Sequence, residues 1–319
     1  MKYYLGIDLG GTNIVAGVAD ENYKILAKHS AKTTPELSFP AMVARMADTA
    51  KTAVEKAGLR LEDMQAIGLG TPSCINPANN CLVYANNLGW KNVPLYDEMK
   101  KHFNIPLFIR NDADCAALGE VLAGAARDYR DALMVTLGTG VGGGIIINRR
   151  IFSGGDNMGA EIGHTKLVYD GVPCTCGQRG CLEAYASATA LINQTREAIL
   201  RHPESALSAL CGGDLDKVDA KTAFDGMRRG DAVAAALVDR YISYLSAGLS
   251  TLVCVLRPQV IILGGGVSNE RETLLAPLRE KLRADTFSGT EIGVPPVIVA
   301  ALGNDAGLIG AAFLCEMNA

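Results

Sequence analysis

One unit occurs twice in this chain, and that repetition restricts the fold more than any single motif. Residues 3–9, YYLGIDL, read as an apolar strand that stops at Gly10-Gly11-Thr12. A second strand, 13–19, follows at once, and a third, 24–32, comes after the turn Asp20-Glu21-Asn22. About 130 residues later the order returns. A strand at 132–137 ends in Gly138-Thr139-Gly140, and Gly142-Gly143-Gly144 leads into strand 145–148 and a short piece at 151–152. A strand–glycine turn–strand unit used twice predicts two related lobes with a cleft between them. The 319 residues are too many for one compact core and suit two lobes.

Helical periodicity marks 41–57, where Val43, Met46, Ala50 and Val54 share a face. A strand at 66–70 runs into a loop at 71–92 rich in Pro, Asn and Gly. Strand 107–109 delivers Asn111-Asp112 to a helix at 113–122. Further helices are expected at 187–201, 219–229 and 232–256, the last stopping before Pro258. A buried strand, 260–263, ends in Gly264-Gly265-Gly266, and a helix at 305–316 closes the chain. Strands alternating with helices give an α/β fold. The formal net charge is −4, which argues against nucleic acid or an anionic membrane as partner. No apolar run reaches the ~18 residues that span a bilayer. No basic-plus-apolar leader opens the chain, which points to the cytoplasm.

Residues 161–183, EIGHTKLVYDGVPCTCGQRGCLE, carry His164, Cys174, Cys176 and Cys181 in the spacing H-x9-C-x-C-x4-C. Four nitrogen and sulfur donors so close in sequence can close a tetrahedral zinc shell. Disulfides or small core residues are the competing reading. The nine cysteines are odd in number, the others are scattered, and Cys174 and Cys176 are too close to pair comfortably. Zinc held by four protein ligands has no open position for water, so it is a scaffold and not a hydrolytic reagent. Glu161 and Glu183 flank the cluster.

Glycine clusters follow three strands, at 10–11, 138–144 and 264–266. Consecutive backbone N–H groups in such turns converge into anion nests. The chain lacks G-x-x-x-x-G-K-[ST] and is no P-loop protein. Gly138, Gly140 and Gly143 match G-x-G-x-x-G, but the residues that follow, GIIIN, read as strand where a dinucleotide fold needs a helix. Asp112 stands at a strand end before a helix. Alone it reads as a helix cap, as does Asp114. Asn111 beside it, and Asn86, Asn87 and Trp90 in NNLGW, supply amides and an aromatic suited to a polyhydroxyl ligand. Each sugar hydroxyl wants both a donor and an acceptor.

Taken in order, DLGGTN (8–13), NDA (111–113), LGTGVGGG (137–144), EIGH (161–164), C-x-C-G-x-x-G-C-L-E (174–183) and LGGGV (263–267) resemble the ROK family of sugar kinases and repressors across nearly the whole chain. NLGW at 87–90 is similar to its ATP-dependent glucokinases. The resemblance implies a two-lobed actin-like ATPase (ribonuclease H-like) fold with an active-site cleft between lobes and a structural zinc site. The lobes would be 1–112, completed by 304–319, and 113–303. It implies ATP-dependent phosphorylation of glucose at the 6-hydroxyl, with Asp112 as general base. Pro72, Asn87, Asn111, Glu161, His164 and Glu183 fall on the sugar positions, and His164, Cys174, Cys176 and Cys181 on the metal positions. Gly10, Gly11 and Thr12, with Gly138, Thr139 and Gly140, would hold phosphate. Gly265 and Gly266 would face the nucleoside, and Asp8 would serve Mg²⁺. ATP and a hexose are the expected ligands, and a homodimer or dimer of dimers the expected assembly. Family repressors carry a winged-helix segment ahead of the first strand, which here starts at residue 3. Two departures, Ser73 where the family has Gly and Asn76 near a customary acid, bear on which sugar is taken. The alternatives are a kinase for N-acetylmannosamine, N-acetylglucosamine, fructose or allose, and a sugar sensor without catalysis.

Overall fold

The computed structural model describes residues 1–72, 74–76, 81–85 and 88–318, apart from the side chains of Cys74 and Asn318. The chain opens with β1 (Tyr3–Leu9), β2 (Asn13–Asp20), β3 (Ile25–Lys32) and α1 (Phe39–Lys56). Next come β4 (Met64–Thr71), β5 (Cys74–Asn76), β6 (Cys81–Ala85), β7 (Trp90–Val93), α2 (Leu95–Lys100), β8 (Leu107–Asn111) and α3 (Asp112–Leu122). The repeat follows as β9 (Ala132–Leu137), β10 (Val141–Ile147) and β11 (Arg150–Ile151). Then come α4 (Glu183–Ala186), α5 (Ala188–Arg201), α6 (Ala206–Leu210), α7 (Thr222–Arg228) and α8 (Ala232–Leu256). The chain finishes with β12 (Val260–Gly264), α9 (Glu272–Asp285), α10 (Gly289–Ile292), β13 (Val297–Val299) and α11 (Asp305–Ala312).

The repeat read from the sequence is a repeat of topology. One five-stranded sheet has the order β3-β2-β1-β4-β8, and another has β11-β10-β9-β12-β13. In each, the third, second and first strands of the unit lie side by side and the two later strands extend the sheet. β1, β2 and β3 pair antiparallel, whereas β1, β4 and β8 are parallel. β10 and β11 are antiparallel, and β12 and β13 parallel. Packing divides the chain into two compact units, residues 1–134, 144–160 and 300–319, and residues 135–143 and 161–299.

In the first unit, α1 lays Met42, Val43, Met46, Ala50 and Val54 into a core with Leu5, Ile7 and Leu9 of β1 and Ile67 and Leu69 of β4. The i, i+4 spacing puts those side chains on one face, as the sequence indicates. α11 packs on α3, β1 and β4. It comes so close to α3 that a Cβ at Gly310 would lie 1.7 Å from the Cys115 carbonyl oxygen. In the second unit, α8 packs against α4, α5, α7 and α9. Asp231 caps it by accepting from Ala234 N–H, and Arg257 ends it in a left-handed turn before Pro258.

Three expectations change. The loop at 71–92 contains β5, β6 and β7, a three-stranded sheet. Those strands are three to five residues long, too short for an alternating pattern to register beside Pro and Asn. β10 begins at Val141, so Gly142–Gly144 lie in a strand, not in a turn. A Cβ at Gly144 would stand 2.5 Å from Ala117 Cβ, so packing against α3 accounts for the glycine. The closing helix stops at Ala312 and continues as a 3₁₀ turn, Leu314–Asn318. Between 267 and 304 the sequence pattern announced nothing, yet α9, α10 and β13 lie there. Pro277 sits inside α9 and breaks its apparent helical pattern. Among the described residues, no helix is long and apolar enough to cross a membrane.

Candidate active site and metal cluster

The parallel strands β1, β4 and β8 end level with one another. Asp8 pairs with Gly70, Gly70 with Arg110, and Thr71 with Asn111. Their carboxyl ends, where open α/β sheets bind ligands, thus bring Asp8, Pro72, Asn111 and Asp112 to one edge of the first sheet. Asn111 is the cap of α3: its Oδ1 accepts from Ala113 N–H at 2.8 Å and Asp114 N–H at 3.4 Å. A cap of this kind is worth about 1 kcal/mol. Asp112 is therefore not needed as the cap. It is the first residue of α3, with Oδ1 2.8 Å from the Ala113 nitrogen, at the positive end of the helix dipole. Burial first, and the neighbouring Asp112 carboxylate second, together push the Asp8 carboxyl up to about 7. The two acids sense each other across the strand ends.

The turn after β1 is pinned from β2 and the segment after β3. Gly10 N–H donates to Asn13 O at 2.9 Å, and Thr33 Oγ1 donates to Gly10 O at 2.7 Å. Gly11 and Thr12 stay exposed. Asn87 lies outside the described residues.

The second unit holds the other glycine turns. After β9, Gly138 N–H donates to Gly140 O at 3.0 Å, and Ala188 N–H donates to Gly138 O at 2.8 Å. Thr189 Oγ1 donates to Thr139 O at 2.8 Å. The turn after β12 packs directly on this strand, since a Cβ at Gly265 would lie 2.5 Å from Leu137 O.

His164, Cys174, Cys176 and Cys181 converge, with their ligand atoms all within 4.8 Å of one another. Cys174 Sγ lies 3.8 Å from His164 Nδ1, and Cys176 Sγ lies 3.8 Å from Cys181 Sγ. Bonds of ~2.3 Å at tetrahedral angles give edges of ~3.8 Å, so the cluster fits a zinc shell. Burial pushes the Cys174 thiol up to about 12, and burial also raises Cys181. Holding these sulfurs as thiolates takes a cation among them.

Glu183, the first residue of α4, turns one oxygen to the cluster and one to the glycine turn. Oε1 accepts from Thr175 Oγ1 at 3.0 Å and lies 3.5 Å from Cys174 Sγ. Oε2 accepts from Val141 N–H at 3.0 Å. Glu161 precedes the 3₁₀ turn Ile162–His164, and its carbonyl accepts from His164 N–H at 3.0 Å. Thr175 and Thr189 escaped the sequence reading. The signal for Thr175 was its place between two ligand cysteines, and for Thr189 the N-terminal turn of a helix after Ser187.

The profile of the ROK family matches residues 4–318. A glucokinase of Thermotoga maritima is 37% identical over 313 residues, covering 98% of this chain and 96% of the relative. A crystal structure of a ROK family glucokinase from Streptomyces griseus, in complex with glucose and AMPPNP, superposes with a TM-score of 0.82 at 36% identity, covering 98% of each chain. The ROK hexokinase of Thermus thermophilus superposes with a TM-score of 0.84 at 34% identity, covering 99% of this chain and all of that one.

Proposed function

We propose, on the premise that this chain belongs to the ROK family, how its residues divide the work of a glucokinase. The reaction is ATP-dependent phosphorylation of glucose at the 6-hydroxyl, giving glucose 6-phosphate and ADP. The observation that carries it is the full-length likeness to a glucokinase structure holding glucose and an ATP analogue. The amide-and-acid pair Asn111-Asp112 at the strand ends supports the same reading.

Asp112 accepts the proton of the 6-hydroxyl as that oxygen attacks the γ-phosphorus in line. Asp112 heads α3 directly after Asn111, at the strand ends that also carry Asp8 and Pro72. Asn111, Glu161, His164 and Glu183, with Pro72 and Asn87, hold the sugar, each hydroxyl meeting both a donor and an acceptor. The turns Gly10-Gly11-Thr12 and Gly138-Thr139-Gly140 offer backbone N–H groups to the phosphates. Gly265 and Gly266 face the nucleoside. Bound Mg²⁺ would neutralise phosphate charge. Asp8 would hold it through water, and a carboxyl lifted to about 7 by burial and by Asp112 is one that a cation relieves. Zinc, held by His164, Cys174, Cys176 and Cys181, would be a scaffold that fixes the His164 ring toward the sugar. We place the enzyme in the cytoplasm as a homodimer or dimer of dimers.

The test is ADP release from purified protein with MgATP and a panel of hexoses, glucose and N-acetylmannosamine foremost. Turnover with glucose above every other sugar is the expected result. Turnover led by an N-acetylated sugar would overturn the choice of substrate, and none with any sugar would overturn the kinase.

A further inference from the structure

Val141 is gripped on both of its backbone groups by residues that belong to the metal cluster's own segment. Its N–H donates to Glu183 Oε2 at 3.0 Å. Its carbonyl oxygen lies where a Cβ of Gly163 would be, at 2.0 Å, so Gly163 rests flat on that peptide. Gly163 directly precedes the ligand His164. Glu183 stands two residues after the ligand Cys181, and its other oxygen is held by Thr175 Oγ1 at 3.0 Å, between the ligands Cys174 and Cys176. Val141 is the first residue of β10 and the last of the turn that opens at Gly138. A side chain at Gly140 would meet the same carboxylate, since a Cβ there lies 2.3 Å from Glu183 Oε2. The glycine turn is thus seated on a carboxylate whose orientation depends on the cluster.

We infer that Glu183 is a positioning residue for the Gly138–Val141 turn, and that Thr175 sets its rotamer, so that filling the metal site orders the turn that cradles phosphate. This rests on the phosphate role proposed above for the turn. The physical reason is geometric. A carboxylate bound at one oxygen only still swings about its last torsion, which is broad. One bound at both oxygens presents a fixed acceptor to Val141 N–H. If the four ligands spread apart, Thr175 moves with Cys174 and Cys176, and Oε1 loses its anchor.

Thr175 allows a test, because it is neither a metal ligand nor a residue placed against sugar or nucleotide. Thr175→Val removes the hydroxyl at nearly constant volume, and Thr175→Ser keeps it. Zinc content is measured for each protein. Amide hydrogen exchange is then followed at Val141 with zinc bound and after chelation, alongside the KM values for ATP and glucose. The expected result is full zinc in Thr175→Val, with exchange at Val141 about tenfold faster and a raised KM for ATP, the scale of one charge-assisted hydrogen bond. Thr175→Ser should restore both, and chelation of the wild type should speed the same amide. Unchanged exchange at Val141 in zinc-loaded Thr175→Val would overturn the link. Faster exchange with an unchanged KM for ATP would overturn its bearing on nucleotide. A wild-type protein that protects Val141 when zinc-loaded yet phosphorylates no sugar would count against the kinase reading, not against this link.

Discussion

Asp8 and Asp112 share the edge of one sheet, and the structure gives them different conditions. Asp112 opens a helix whose cap is supplied by Asn111, and its carboxylate lies at the positive helix end. Asp112→Asn keeps the shape and removes the base. Its kcat should fall by about 10²–10⁴, the range of general base catalysis, while glucose still binds in a calorimetric titration. A variant that turns over at near-normal rate would remove Asp112 from its role. Asp8 is half-buried, and burial together with the Asp112 carboxylate raises its carboxyl from 3.8 to about 7. The native state therefore holds a proton that the unfolded chain has released across that window. Stability from this proton is complete below 3.8 and is lost as pH climbs to about 7, because the native state binds the extra proton. Asp8→Asn has no charge to bury. In metal-free and nucleotide-free protein, its melting temperature should exceed the wild type's by clearly more at pH 8 than at pH 5, because the wild type goes on losing stability up to about pH 7. A difference that stays constant between the two pH values would refute the assignment.

Elements were legible where chemistry and spacing coincide. The glycine turns could be read because a backbone nest needs consecutive small residues after a strand, and the sheet orders bear out the repeat they mark. The cluster was legible because ligand spacing is itself a geometric constraint. β5, β6 and β7 were not, since strands of three to five residues are stabilised by pairing and not by their own pattern. Thr175 was illegible for a related reason: its meaning depends on Glu183 folding back eight residues later. At this scale the cluster makes a prediction. Cys176 is the exposed member, so Cys176→Ser disturbs packing least while removing one ligand. Bound zinc measured by emission spectrometry should fall, and the KM for glucose should rise because His164 loses its fixed ring. Unchanged zinc with an unchanged KM would sink the scaffold role.

At the scale of the whole chain, the last twenty residues pack with the first 134 and with 144–160. Glu120, fully buried on α3, makes that return specific. Its carboxylate accepts from Ala301 N–H at 3.0 Å, from Leu302 N–H at 2.8 Å and from Ala125 N–H at 2.7 Å. The sequence shows only a glutamate in a run of small residues, because its partners lie some 180 positions away. The same helix then meets α11 so closely that Gly310 admits no side chain against the Cys115 carbonyl. α3 thus begins with Asp112 and, two turns later, locks the end of the chain. Removing the carboxylate empties a fully buried site and takes the acceptor from three partly buried N–H groups. Glu120→Ala should therefore cost about 3 kcal/mol or more in urea unfolding, well beyond the loss of one exposed ion pair. Glu120→Gln keeps an acceptor oxygen and should cost clearly less. Equal losses for both variants would mean that shape, and not the acceptor, holds the chain end in place. A loss under about 0.5 kcal/mol for Glu120→Ala, the range of an ordinary surface substitution, would mean that α11 docks through its glycine-lined contact alone.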